Sequence, residues 1–308
     1  MVLICADPSE AVTAFLLSRL VTLRIDHRIL DLRVAPEMFS VESSLRDGQL
    51  SGSICFEDLR VSFDELTGVY FRNVPLDEPG DETGNKTDEP YPRIDPRIAA
   101  VFNSLPSRIV NRPAATYSNR SKPYQSLIIR RCNFKIPKTL ITDDVASART
   151  FYVECNGDVI SKSISGSRSA VQRISERDLQ PVGAMPHRPT QFQEYLPGDN
   201  IRVHVIGESL FAVRIQSKAV DYRYAGREGY ARTIVPMTLP ETICRRCVRL
   251  TKELGLTMSG IDLKETPSGE YYCLEVNTSP AFPFYESPAR PVVADALGQF
   301  LAQRGEQA

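Results

Sequence analysis

The stretch "GEYYCLEVNTSPAF" (269–282) places Glu275 and Asn277 two residues apart in an otherwise apolar run. Residues i and i+2 of a strand share a face, so the carboxylate and the amide point the same way. Upstream, "SGIDLKE" (259–265) carries Asp262, and the intervening "TPSG" is a turn sequence that predicts an antiparallel hairpin. A two- or four-residue loop makes opposed residue numbers sum to an odd value, which puts Asp262 on the side of Cys273, Glu275 and Asn277. Ile261, Leu263, Tyr272, Leu274 and Val276 then form the packing face, and Cys273 reads as a buried structural thiol. Two unpaired carboxylates in a partly buried site would repel, and one would keep its proton. A hard divalent cation, Mg²⁺ or Mn²⁺, resolves this, since oxygens of Asp, Glu and Asn suit it. A solvated polar strand face accounts for the same spacing, so the hairpin alone leaves both readings open.

Several cations stand in suggestive places. Lys162 interrupts the apolar strand "DVISKSI" just before a small-residue loop, "SISGSRSA" (163–170), which holds Ser167, Arg168 and Ser169. Lys122 lies in "NRSKPYQS", and guanidinium groups occur at Arg202 in "NIRVHV", Arg214 in "FAVRI" and Arg223 in "DYR". For each of these a solvated lysine or a surface salt bridge is the plainer alternative. Arg202 and His204 share strand parity, so one of them can be a mere neighbour of the active one. The loop lacks the "GKS" or "GKT" ending of a Walker-type phosphate loop. "CRRC" (244–247) has no second ligand pair to complete a zinc site and reads as two cysteines on one helix. No Ser–His–Asp or Cys–His arrangement is visible.

The order Lys122, Lys162, "QFQEYLPGDNIRVHVIG" (191–207), "GIDL" and "LEVNTSP" resembles the ATP-grasp superfamily over roughly residues 110–290. The chain looks like a RimK-like member related to the microviridin-type (graspetide) peptide ligases. "VLICAD" and "GVYFRN" resemble, more loosely, the leading domain of that family. The resemblance implies ATP and Mg²⁺ (or Mn²⁺) as cofactors. Lys122 and Lys162 would hold phosphates, with the 163–170 loop closing over them through Ser167, Arg168 and Ser169. The hinge strand "QFQEYL" would bind the base through Gln193, Glu194, Tyr195 and Leu196, with Asp199 or Asn200 at the ribose. Two Mg²⁺ would be bridged by Glu275, with Asp262 and Asn277 each holding one. Arg202 and Arg214 would neutralise the γ-phosphate and an acyl phosphate. Arg223, oriented by Asp221, would hold a carboxylate substrate bidentately.

The implied activity is ATP-dependent ligation of a carboxylate to an amine or hydroxyl through an acyl phosphate, releasing ADP and phosphate. A precursor peptide or an amino acid is the implied substrate, and a homodimer the implied assembly. A kinase on the same fold, or a non-catalytic nucleotide- or peptide-binding module, are the alternatives.

The elements needed to position these residues read as α/β (α+β). "VLICAD", "SEAVTAFLLSRL" and "HRILDL" form a β-α-β opening, followed by strands "GSICF", "RVSF" and "GVYFRN". A Pro-, Gly- and acid-rich stretch at 75–96 reads as a mobile surface loop. The expected organisation is an N-terminal α/β (pre-ATP-grasp) domain over 1–115, a central subdomain with the phosphate loop over 116–190, and a C-terminal subdomain with the metal site over 191–308. In the middle part a helix follows the proline of "SKPYQSLIIRR", "KTLIT" is a strand, and "DDVASARTFYVECN" is a helix opened by an Asp cap. The last third reads as strands "TQFQEYL", "NIRVHVIG" and "SLFAVRIQS", a helix over "ETICRRCVRLTKEL", the hairpin, and a closing helix around "PVVADALGQFLAQ".

Over 308 residues, a net charge of −1 argues against a nucleic-acid surface. Seven scattered cysteines suit a reduced, cytoplasmic setting. No basic-then-apolar leader and no apolar run near ~20 residues is present, which argues against secretion and membrane spanning.

Overall fold

The computed structural model describes residues 1–33, 38–56, 59–72, 96–163, 171–179, 190–226, 229–287 and 289–304. The loop expected at 75–96 falls, up to residue 95, outside these, as do Ser167, Arg168 and Ser169.

The chain opens with β1 (Val2–Ala6), α1 (Ala11–Thr22) and β2 (His27–Asp31), then β3 (Phe39–Arg46), β4 (Gln49–Phe56), β5 (Leu59–Ser62) and β6 (Gly68–Arg72). α2 (Pro96–Ser104), β7 (Arg108–Val110) and α3 (Pro113–Thr116) complete this part. Strands β2-β1-β6-β7 make a parallel sheet, and β3-β4-β5 a small antiparallel one. β1 is buried throughout, as an inner parallel strand should be. Its Leu3 and Cys5 pack toward α2 and the small sheet, while Val2, Ile4 and Ala6 pack toward α1. β3 carries an alternating pattern in "FSVESSLR" that the sequence reading above passes over.

Next come α4 (Lys122–Arg131), β8 (Thr139–Thr142), α5 (Val145–Glu154), β9 (Val159–Ser163), β10 (Gln172–Arg173) and β11 (Thr190–Glu194). The sheet order is β10-β9-β11-β8, with Phe151 of α5 packed near Phe192 and Val159. Asp144 caps α5 as expected, accepting the Ser147 N–H at 2.8 Å. β11 therefore belongs to the central sheet, although it lies past the boundary expected at residue 190.

The last part contains β12 (Asp199–Ile206), β13 (Ser209–Ser217), β14 (Arg232–Met237), α6 (Glu241–Glu253), β15 (Met258–Glu265), β16 (Tyr271–Asn277) and α7 (Val292–Ala302). The antiparallel order β14-β13-β12-β15-β16 puts β12 at the centre. Ile201, Val203, Ile261 and Leu263 pack under Ile128 and Ile129 of α4 and Ile243, Cys247 and Leu250 of α6. Each fully buried aliphatic side chain here contributes about 1.5–3 kcal/mol. α7 turns back to the first sheet, where Leu297 and Leu301 join Leu16 and Leu20.

The hairpin departs from its expected register. Five residues, 266–270, separate β15 from β16, so Glu265, Lys264 and Leu263 oppose Tyr271, Tyr272 and Cys273 with even sums. A bulge between Asp262 and Leu263 then inserts Leu274 and restores the odd register at Asp262–Glu275, Ile261–Val276 and Gly260–Asn277. The expected convergence of Asp262, Glu275 and Asn277 survives. Cys273 does not share their side: it packs in the core with Leu263 and Val276, and Leu274 faces the cleft instead.

Candidate nucleotide and metal site

A cleft between the central sheet and the five-stranded sheet collects most of the residues singled out above. Lys162 reaches it from β9, Gln193 to Leu196 from β11 and the hinge after it, and Lys122 from the start of α4. Asn200 and Arg202 of β12, Asp262 and Lys264 of β15, and Glu275 and Asn277 of β16 line the opposite wall.

Three buried side chains hold that wall in place. Gln125 of α4 stands in for a neighbouring strand at the edge of β16, donating to the Val276 carbonyl at 2.8 Å and accepting its N–H at 3.2 Å. At the open end of the hairpin, Asn111 donates to the carbonyls of Met258 and Thr278, both at 2.7 Å. Its oxygen accepts the N–H groups of Thr257 and Met258 at 2.8 and 2.9 Å, so all four of its hydrogen-bonding positions are used. Arg72, paired with Glu10, donates to the Ser279 carbonyl at 2.9 Å. The first sheet thus clamps the ends of both ligand-bearing strands. Gly260 is needed for closeness: an added Cβ would lie 2.5 Å from Pro280 Cβ and 3.1 Å from Arg202 Cζ.

Arg202 is 5% exposed and donates to Asp262 Oδ1 at 2.7 Å beneath the Tyr285 ring. Burial works against its charge, yet Asp262 and the Tyr285 and Tyr222 hydroxyls hold it above the ordinary guanidinium range. Its Nε is buried close to Gly260, with no partner among the described residues. Burial raises the Asp262 carboxyl, with Arg202 pulling against this and Glu275 adding to it. Lys162 is pushed down to about 8 by burial; Glu275 and Asp262 support its charge while Lys122 and Arg223 oppose it. His204 shares the parity of Arg202 but meets the Ala281 carbonyl at 3.2 Å, and burial, then Arg202, push it down to about 3. It is a neutral neighbour.

Arg223 is held bidentately by Asp221, at 2.8 and 2.5 Å. Tyr222 and Tyr285, absent from the sequence reading, share a hydrogen bond at 2.9 Å beside Arg202. The only signal for Tyr285 is its place in the aromatic turn right after the ligand strand. Lys264 was also absent from that reading.

Arg214 and Asp199 are not brought into the cleft. Arg214 opposes Ile201 in the ladder, on the helix-covered side, and bridges Asp199 at 2.7 Å and Glu265 at 2.5 Å. The separation is readable from the turn: two residues, 207 and 208, join β12 to β13, so opposed numbers sum to an odd value. Arg202 and Arg214, both even, must then face opposite ways.

For a cation, the donor set is two carboxylates and one amide. Among the described residues no group of three or more His, Cys, Asp and Glu is placed to hold a metal. The Asn277 amide nitrogen donates to Asp262 Oδ2 at 2.9 Å, so Asp262 and Asn277 meet directly. Two carboxylates and an amide brought to one wall of the cleft are oxygen donors that fit a hard divalent ion. Arg202 beside Asp262, with Lys162 and Arg223 also lining the cleft, can neutralise a polyphosphate, and the whole suits phosphoryl transfer with little covalent participation by the protein.

No known family model matches the chain. It is 30% identical over 120 residues to a probable alpha-L-glutamate ligase 1 of Shewanella denitrificans, covering 38% of this chain and 40% of that protein. It is 24% identical over 204 residues to a probable alpha-L-glutamate ligase of Mannheimia succiniciproducens, covering 63% and 67%. The macrocyclase MdnC bound with precursor peptide MdnA, from Microcystis aeruginosa, superposes with a TM-score of 0.75 at 22% identity over 98% of this chain and 99% of that one. The ATP-grasp ligase PsnB, complexed with a phosphomimetic variant of minimal precursor, Mg and ADP, gives 0.76 at 24% over 97% of each.

The chain has the ATP-grasp fold. Within it, the chain is similar in sequence to alpha-L-glutamate ligases and in architecture to the macrocyclase MdnC and a RimK-domain ATP-grasp protein.

Proposed function

We propose that the chain is an ATP-dependent ligase that joins a carboxylate to an amine or hydroxyl, with a peptide as the favoured substrate. The observation that carries this is one cleft holding a buried Arg202, a desolvated Lys162, and the Asp262–Glu275–Asn277 set beside a hinge. The ligase names of the sequence relatives, and the precursor peptides bound to the structural relatives, support it.

In this reading the base lies along the hinge. There the Glu194 and Tyr195 N–H groups are taken by the Lys138 and Asp158 carbonyls, so the peptide at Leu196 is the available donor among the described residues. Lys122, Lys162 and Arg202 neutralise the phosphates. Asp262, Glu275 and Asn277 would hold Mg²⁺, which supplies further neutralisation at phosphate oxygens. Arg223, oriented by Asp221, holds the substrate carboxylate. That carboxylate attacks the γ-phosphorus, the bond to the β-phosphate oxygen breaks, and ADP leaves. The resulting acyl phosphate is attacked at carbon by the amine or hydroxyl, which loses its proton as phosphate departs. Alignment and charge neutralisation account for the rate.

The test is product analysis of the whole chain with MgATP and candidate peptides or amino acids. A ligase yields ADP, free phosphate and a condensed product. A kinase leaves the phosphate on its substrate, and that outcome would replace this reading.

A further inference from the structure

Asp221 enters so far only as the holder of Arg223, yet its carboxylate does more than that. It is 5% exposed and caps the short turn Tyr222–Tyr224 at the edge of the cleft. Its Oδ1 accepts the Arg223 main-chain N–H at 3.1 Å and Nε at 2.8 Å, and its Oδ2 accepts Arg223 Nη2 at 2.5 Å. The fourth bond leaves the turn: Oδ2 accepts the main-chain N–H of Val171 at 3.4 Å. A carboxylate offers about four lone-pair positions, so these bonds leave Asp221 none for a ligand.

Val171 stands on the other side of the cleft. It directly precedes β10, whose Gln172 and Arg173 pair with Ser161 and Ile160 of β9, the strand that carries Lys162. Val171 and Lys162 line the cleft from the central sheet, while Asp221, Tyr222 and Arg223 line it from the connection between β13 and β14. That connection is pinned beside Arg202 by the Tyr222–Tyr285 hydrogen bond. One carboxylate therefore joins the wall beside Lys162 to the arginine assigned to the substrate.

We propose that Asp221 is a positioning residue for both sides of the cleft, coupling nucleotide binding at the central sheet to the placement of Arg223. This rests on the proposed function, which puts phosphates at Lys162 and the substrate carboxylate at Arg223, and adds the connection between them. Such a link is reciprocal: nucleotide binding sets Arg223, and a ligand on Arg223 strengthens nucleotide binding by the same factor. Its sign separates it from plain electrostatics. Removing a negative charge from a cleft that takes a polyphosphate tightens binding by Coulomb attraction alone, whereas cutting the link loosens it.

Titration calorimetry of the whole chain with MgATP tests this. Asp221→Asn keeps the size of the side chain but loses its charge and one acceptor, and Val171→Pro deletes the N–H while leaving both Asp221 and Arg223 in place. Each should weaken MgATP binding by about three- to tenfold. In the Asp221→Asn background, Val171→Pro should add less than about twofold, because the link is already cut. In the wild type the Arg223 Nε–H resonance, assigned by its loss in Arg223→Lys, should move when MgATP is added; in Val171→Pro at saturating nucleotide it should move less. Asp221→Asn carries the binding test alone if the proline prevents folding. An Asp221→Asn affinity equal to or tighter than wild type, additive losses in the double variant, or an Arg223 resonance that ignores MgATP or moves alike in both chains overturns the proposal. A wild type that binds no MgATP overturns the ATP reading instead, a separate result.

Discussion

On β12, Ile201, Val203 and Val205 enter the core under α4 and α6, while Asn200, Arg202 and His204 face the cleft. One strand therefore builds two surfaces governed by different physics. The helix-covered face gains stability from apolar contact and tolerates a charge only at its rim, where Arg214 meets Asp199 and Glu265. The cleft face buries charges that repel or go unpartnered, and its packing is spent on holding them in place. The contrast predicts that stability and activity separate by face.

The largest effect on stability belongs to the core face. Leu250→Ala removes a fully buried side chain and should cost about 2–5 kcal/mol in denaturant unfolding, with nucleotide affinity of the folded fraction retained. Loss of affinity in proportion to stability would erase the distinction. On the other face, Glu275→Gln should lower Mg²⁺-dependent turnover by about a hundredfold or more with the melting temperature nearly unchanged; full turnover would remove Glu275 from the site.

Lys162→Met offers a sharper contrast, because both properties should move in opposite directions. Burial holds the folded lysine at about 8, below its unfolded value. The folded chain thus carries a penalty that is full below pH 8 and is relieved as pH rises from there toward the ordinary lysine range. At pH 7 the variant should be more stable by on the order of 1–3 kcal/mol, with the gap closing above pH 8. Wild-type nucleotide affinity should fall as pH rises through about 8, and the variant should show no such fall. A parallel fall in both would assign the titration to another group. The smallest effect is expected of Arg214→Ala: less than about 1 kcal/mol of stability and nucleotide affinity within about twofold. A loss matching that of Arg202→Ala would mean the rim communicates with the cleft.

Much of this was legible in the sequence because it depends on period and local chemistry. The opening β-α-β unit, the Asp144 cap and the pairing of Glu275 with Asn277 need only neighbours in the chain. The side of Cys273 was not legible, since it turns on a five-residue loop and a bulge that a turn motif does not announce. Arg214 is a different case. Its side follows from the short turn at Gly207, and the family resemblance points the other way. Tyr285 gains meaning only from the Arg202 guanidinium that it covers, a contact no spacing encodes. Asn111 is similar: "NRP" is an unremarkable end to a domain until the two strands it clamps come together.

Gln125 has a consequence for how a substrate can arrive. With its amide on Val276, and the Lys135 carbonyl accepting the Cys273 N–H at 2.9 Å, these main-chain positions on the outer border of β16 are already satisfied. An extended peptide gains nothing by lying alongside there as a sixth strand. Glu275 itself opens onto the cleft face of the sheet rather than onto this border.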